Sequence, residues 1–301
     1  MTVDPKNVLL AALALFTIFY IVRFGTALRG EKQASALGDT VTPTPALLGT
    51  GFITNLIDTW GIGSFATTTA IFRQWKMVRD EWIPGTLNIG HTLPAITQAF
   101  LFTKLVPVDA RTLILMIGAA VSGSYLGAGI VSRWPRRWIQ VGMGLALLAA
   151  ATLMLLAQLH LVPAGGDLLE LTGTRLYIGV SVNFALGALM TLGIGLYGPC
   201  MILVSLLGMN PTAAFPIMMG SCAFLMPIAS ARFIRARRYD PRAALSLLLG
   251  GVPAVLIAVY IITNLSMTYV RIGVIVVVVY TAFGLLRTAM VERSKALEAT
   301  A

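Results

Sequence analysis

Apolar runs interrupted by charges and turn residues divide the chain into segments 8–24, 45–76, 82–103, 112–132, 138–159, 174–207, 213–231, 242–263 and 269–289. Seven of these have the length of one helical crossing of a ~30 Å hydrocarbon layer. The other two, 45–76 and 174–207, would extend about 48 and about 51 Å as straight helices, which is too long. Each carries a Gly-Ile-Gly near its middle, Gly61–Gly63 and Gly193–Gly195. Glycine has no side-chain barrier to other backbone angles, so the helix is expected to break there. Each long segment is then a broken, tilted crossing or a V-shaped pair of half-helices.

Loop charge separates these alternatives. If both broken segments return to the side they came from, there are seven full crossings, and 17 of the 22 basic residues fall on one side. Only Lys6, Lys104, Arg111, Arg175 and Arg271 are left opposite. Nine simple crossings give a weaker bias. The positive-inside rule therefore favours the V-shaped arrangement, with the N-terminus outside and the C-terminus cytoplasmic, in a multi-pass protein of the inner (plasma) membrane.

Composition agrees with this placement. The 301 residues are 57% hydrophobic and 11% charged, against about 25% charged in soluble domains. Residues 176–231 contain no Asp, Glu, Lys or Arg. A net charge of +10 first suggests nucleic acid. However, the basic residues form short clusters between apolar runs, such as Arg133/Arg136/Arg137 and Arg232/Arg235/Arg237/Arg238, and no continuous basic face is implied. Their expected partner is the lipid bilayer, through its anionic headgroups, and no nucleic acid. The N-terminus lacks a basic n-region and a cleavage site, so 8–24 is expected to be a retained span.

The two Gly-Ile-Gly breaks lie 132 residues apart, as do Pro84 and Pro216, while Arg111 and Arg242 are 131 apart. In each half a broken segment precedes three ordinary ones. The expected fold is therefore all-α: a polytopic membrane protein built as an inverted duplication, with a glycine-broken helical hairpin in each repeat and an extra N-terminal span. Residues 1–44 form that span and a linker, 45–160 the first repeat, 161–173 an inter-repeat linker, 174–290 the second repeat and 291–301 a tail. Inverted repeats with discontinuous helices are a common design for secondary transport. The free N–H groups at a half-helix start attract anions without a buried lysine or arginine.

The run Gly51-Phe-Ile-Thr-Asn-Leu-Ile-Asp-Thr-Trp-Gly-Ile-Gly-Ser64, its weaker echo in 187–198, and Pro84-Gly-Thr-Leu-Asn-Ile-Gly-His91 resemble the TauE/SafE sulfite exporter family of membrane permeases. The resemblance covers about residues 45–290. It implies an inverted duplication with hairpin-like broken elements, and movement of sulfite, sulfonates, sulfoacetate or other small organic anions, coupled to protons. The family's glycine-rich turns match Gly61, Gly63, Gly193 and Gly195. Ser64-Phe65 stands where many members have a longer glycine run.

Among the polar residues at membrane depth, Asp58 is the only acidic one between Asp39 and Asp80. An intramembrane carboxylate is a functional candidate by default. Asp58 is expected either to couple protons or to cap the backbone after the break, and the two roles overlap. His91 is the second proton-coupling candidate, with a packing hydrogen bond as its alternative role; Asn88 lies three residues before it on the same helical face. Along the expected substrate pathway lie Asn55, Trp60, Gly61, Gly63, Ser64, Thr67, Thr68, Asn88, His91, Asn183, Gly193, Gly195, Tyr197 and Ser221, with Thr69, Ser205 and Cys222 as weaker candidates. Threonines also back-bond to helix carbonyls, and Trp60 is equally suited to packing. No metal site or cofactor is expected: the two histidines are distant and the two cysteines suit packing. Without a Gly-Lys-Ser/Thr phosphate loop, His-Glu-x-x-His or Gly-x-Ser-x-Gly, no enzyme is expected. The expected function is secondary transport of a small anion, with protons as coupling ion. An uncoupled channel-like pathway, or a structural or sensory membrane protein, is the alternative. Homodimerisation stays open.

Overall fold

A computed structural model describes residues 5–34, 41–59, 63–105, 107–161, 165–193, 195–261, 275–276, 279–280 and 282–291. The described residues are helical with short connections. They comprise α1 (Pro5–Ala34), α2 (Pro45–Thr59), α3 (Ser64–Gln74), α4 (Ile83–Gly90), α5 (Thr92–Leu105), α6 (Ala110–Val131), α7 (Arg136–Gln158), α8 (Gly173–Met190), α9 (Tyr197–Leu206), α10 (Ala214–Ala236), α11 (Pro241–Ile261) and α12 (Ala282–Val291). Short 3-10 turns at Asp80–Trp82 and Pro211–Ala213 lead into α4 and α10. Five helices, α1, α6, α7, α10 and α11, are long and apolar enough to cross a membrane. The protein is a multi-span helical membrane bundle.

Both overlong segments are interrupted where the glycines fall. The first divides into α2 and α3, and the second into α8 and α9. Gly63, Gly193 and Gly195 have φ of +91°, +95° and +75°, a left-handed region where a side chain is strained. Trp60, Gly61 and Ile62 lie outside the described residues, as do 269–274, 277–278 and 281 of segment 269–289.

Other boundaries differ from the sequence pattern for identifiable reasons. Segment 82–103 is not one helix but two, meeting at His91. Pro94 has no N–H to offer the carbonyl of Gly90, four residues back. Beside it the Ile89 carbonyl accepts from the Tyr20 hydroxyl at 2.7 Å, and the Asn88 carbonyl from Thr92 Oγ1 at 2.5 Å. Helix α10 runs on past the end of segment 213–231 to include Arg232 and Arg235. Arg232 is accommodated there because its guanidinium lies 3.9 Å over the ring of Tyr125 on α6.

Helix α10 forms the centre of the bundle, packed on α1, α4, α5, α6 and α9, and 83% of its apolar window is buried, against 17% for α1. Two helix pairs flank it, α2 on α11 and α6 on α8. Both approach through glycines. A Cβ added to Gly250 would sit 2.2 Å from the Leu48 carbonyl oxygen, and one added to Gly187 would sit 2.1 Å from that of Ala120. Between helices in lipid, close backbone approach replaces the hydrophobic effect as the source of cohesion.

The ends of the two half-helices are closed differently. After α3, Arg73 bonds Asp80 at 2.5 Å and Thr288 of α12 at 3.2 Å, while Gln140 of α7 also donates to Asp80, at 2.8 Å. Arg136 approaches both Asp80 and Glu81, and Arg79 pairs with Glu81. After α9, closure is by backbone: Leu168 bridges to Met209, and the Asn210 N–H donates to the Leu168 carbonyl at 2.8 Å.

Candidate functional site

The two breaks face one small cavity. Asp58, Gly63, Ser64 and Phe65 line it from the first break, and Met190, Gly195, Leu196 and Tyr197 from the second. His91, Ala95, Cys222 and Met226 complete the wall. About 20 Å³ is open to the centre of a water molecule, room for one or two waters.

Asp58 lies in the last turn of α2, and its carboxylate reaches across the break to the start of α3. Oδ1 accepts the Ser64 N–H at 2.5 Å, and Oδ2 accepts Gln98 Nε2 at 2.9 Å. A carboxylate is unfavourable at a helix C-terminus and favourable at an N-terminus, so this side chain serves the second half-helix rather than its own. Gln98 also donates to Thr59 Oγ1 at 3.1 Å. The acceptors fix the orientation of its carboxamide, because only the NH₂ end can face a carboxylate. Its Oε1 therefore receives the Tyr197 hydroxyl, which ties the start of α9 to the first break.

A second chain of bonds lies beside the first. His91 Nε2 is 3.0 Å from Thr68 Oγ1, and Nδ1 is 3.1 Å from Asn55 Oδ1. Asn55 Nδ2 donates to the Gly51 carbonyl at 2.7 Å, which turns Oδ1 towards the ring. Nδ1 must then carry a proton, and in the neutral ring Nε2 accepts from Thr68. Thr68, Asn55 and His91 are buried.

The start of α9 contrasts with that of α3. Its N-cap residue is Leu196, which offers no acceptor, and Pro199 in its first turn has no N–H. Gly195, Leu196 and Tyr197 line the cavity there, across from the Asp58 carboxylate.

Several of the sequence-derived candidates therefore meet at one place: Asp58, Gly63, Ser64, His91, Gly195 and Tyr197 at the cavity, with Asn55 and Thr68 bonded behind His91. Others are placed elsewhere. Thr67 back-bonds to the Gly63 and Ser64 carbonyls. Asn88 donates to the Pro84 carbonyl of its own helix. Asn183 donates to the Met116 carbonyl and to Ser221, fastening α8 to α6 and α10. Gly193 faces Leu87, Met143 and Thr69. Ser205 is buried in α9 and is absent from the cavity wall, whereas Cys222 lines it and lies 3.7 Å from the Met190 sulfur. Trp60 and Gly61 lie outside the described residues. Among the site residues that the sequence did not single out, Gln98 makes the most polar contacts. Its signal was available: an amide inside an apolar span, with no loop nearby to solvate it.

Among the described residues no group of three or more His, Cys, Asp or Glu comes together to hold a metal ion. The chain matches no family model, no curated protein sequence and no solved structure.

Proposed function

We propose that the chain is a secondary transporter of small anions, coupled to protons through Asp58, in the manner of the TauE/SafE permeases that its first broken segment resembles. The observation that carries this is the pairing of half-helix starts at one cavity. One start is satisfied by a buried carboxylate, and the other, at Leu196–Tyr197, is left without a side-chain acceptor. An oxyanion at the α9 start would stand opposite Asp58. Two negative charges at that range repel strongly in a poorly solvated site, and a proton on Asp58 removes the repulsion.

The inverted duplication belongs to the same proposal. The packing of α2 on α11 and of α6 on α8 supports it, because the leading helix of each half lies against a span of the other half. Access alternates as one half rocks against the other around the site. The N-terminus lies outside and the C-terminus in the cytoplasm of the plasma membrane.

The test is flux in liposomes. Purified protein should catalyse saturable exchange of a labelled sulfonate, sulfite or small carboxylate, accelerated by an inward proton gradient. Asp58→Asn should leave exchange independent of pH. Conductance without exchange would identify an uncoupled pathway instead, and pH-dependent exchange in Asp58→Asn would remove Asp58 from coupling.

A further inference from the structure

The Arg232 guanidinium rests on the outward face of α6. Its Cζ lies 3.9 Å over the Tyr125 ring, and a terminal nitrogen sits against Gly129, where an added Cβ would be 3.2 Å away. Tyr125 and Gly129 are one turn apart, so the missing side chain at Gly129 opens the notch that receives the guanidinium. The surface around it faces away from the bundle: Tyr125, Leu126 and Ile130 are 49%, 54% and 56% exposed. Gly129 and Tyr125 lie two and six residues before Val131, the last residue of α6, which is about 3 and about 9 Å in from the helix end. The charge is therefore held inside the apolar span rather than beyond it.

No carboxylate answers this charge. Residues 110–166 and 171–239, which contain α6 to α10, have no Asp or Glu. Asp80 and Glu81 are taken by Arg73, Arg79 and Arg136. Among the described residues Arg232 makes no hydrogen bond and no ion pair. Stacking on a ring engages the face of the guanidinium and leaves the N–H donors at its edge unused. Arg133, exposed in the turn that ends α6, adds a second positive charge at this end of the helix. An arginine at the edge of hydrocarbon is costly unless something pairs with it.

From this geometry we infer that Arg232, held in place by Tyr125 and assisted by Arg133, binds the phosphate of an anionic phospholipid. The guanidinium fork meets a phosphate through two parallel N–H···O bonds, and the exposed Leu126 and Ile130 lie alongside for the acyl chains. A lipid phosphate reaches this depth because its chains anchor it in the same layer, whereas a free phosphate has to leave water. Two arginines without an acid favour a headgroup of net negative charge, such as phosphatidylglycerol, over phosphatidylcholine, whose own cation they repel. The site shares no residue with the wall of the cavity between the breaks, and it does not rest on the transport reading.

Thermal unfolding of the detergent-solubilised full chain, titrated with lipid, tests this. Phosphatidylglycerol should raise the melting temperature saturably, and phosphatidylcholine of the same chains should do so far less. Arg232→Gln should weaken the phosphatidylglycerol response by about tenfold, the equivalent of one hydrogen bond to a charged group. Arg137→Gln, which removes the same charge from α7, should leave most of that response intact. Should Arg232→Gln fail to fold, Tyr125→Leu decides, because it removes the ring under the guanidinium from an exposed position; phosphatidylglycerol binding should weaken there too. Equal responses to the two lipids would overturn the assignment, as would an unchanged response in Arg232→Gln, or in Tyr125→Leu where that variant decides. An equal loss in Arg137→Gln would reduce the effect to general attraction by the basic loops and refute a site at Arg232. Stabilisation by glycerol 3-phosphate as strong as that by phosphatidylglycerol would make the ligand a water-soluble phosphate ester and refute the lipid.

Discussion

The two helix breaks share a motif, Gly-Ile-Gly, and differ in everything built around it. The first lies in a polar web in which Asp58, Gln98 and Thr59 serve the start of α3, and Asn55, His91 and Thr68 form a second line behind it. The second is walled by Met190, Leu196 and Cys222, and among its described residues only Tyr197 reaches into the web, through Gln98. Glycine sets where a helix can break. What the break then does depends on whether a side chain satisfies the N–H groups that the break releases. At α3 one does. At α9 the N-cap position holds a leucine.

The sharpest way to break this contrast is to neutralise the first site. Asp58→Asn keeps an acceptor for the Ser64 N–H but turns an NH₂ towards the NH₂ of Gln98, so Gln98 must flip, losing its bond to Thr59 and meeting the Tyr197 hydroxyl with its NH₂ instead of its carbonyl. Proton-driven uptake in liposomes should fall at least about tenfold, in the range set by losing a charged hydrogen-bond partner. A variant that keeps its full response to the proton gradient would show the two breaks to be equivalent after all.

The helix pairs that hold the breaks apart come next. Gly187→Ala and Gly250→Ala should each lower stability in detergent by about 1–3 kcal/mol, the usual range for overpacking, since both would drive a methyl into a backbone carbonyl. Gly118→Ala on α6 and Gly49→Ala on α2 meet nothing within 4 Å, and should be neutral or slightly stabilising. A large loss at Gly187 with none at Gly250 would mean that α6–α8 and α2–α11 are not comparable supports.

Much of this architecture was legible in the sequence because membrane spans and glycine breaks are local signals. The lengths of 45–76 and 174–207 required interruptions, and α2–α3 and α8–α9 supply them. Asp58 stood out for the same reason, as a lone carboxylate at depth. The bend at His91 was carried by Gly90 and Pro94 but was hidden by the apolar run through them. Gln98 was harder still, since its partners lie 39, 40 and 99 residues away in sequence, and only packing brings them together. The opposite case is instructive. Asn88, Asn183 and Thr67 have the same chemistry as site residues, yet they spend their donors on helix carbonyls. A polar side chain in lipid must find a partner, and the nearest one is usually backbone.

A smaller effect isolates the single bond between the breaks. Tyr197→Phe removes the donor to a buried amide oxygen and should lower stability by about 1–2 kcal/mol, while leaving the Asp58–Ser64 bond in place. Transport by this variant should keep its dependence on the proton gradient. If the gradient dependence vanishes, the α9 start takes part in proton handling and is more than an anion position.

The smallest effect compares Asp58 with a second capping carboxylate, Asp240, in the loop between α10 and α11. Asp240 Oδ1 accepts the Ala243 N–H at 2.8 Å, an ordinary cap three residues ahead within one connection. Burial raises its carboxyl above the ordinary range, and hydrogen bonds from Ala243 and Arg242 together with the Arg242 charge only partly oppose this. A carboxyl whose folded value lies above its unfolded one binds protons more readily in the folded protein. Its contribution to stability is therefore full below the unfolded value and is lost as pH rises through the folded value. Asp240→Asn preserves the cap and removes the titration. The melting temperature of wild type relative to this variant should drift downward by a small amount as pH rises through the mildly acidic range, with transport unchanged. An upward drift would reverse the sign of the burial effect at Asp240. A change in the pH dependence of transport would make Asp240, and not Asp58 alone, part of the proton-sensing machinery.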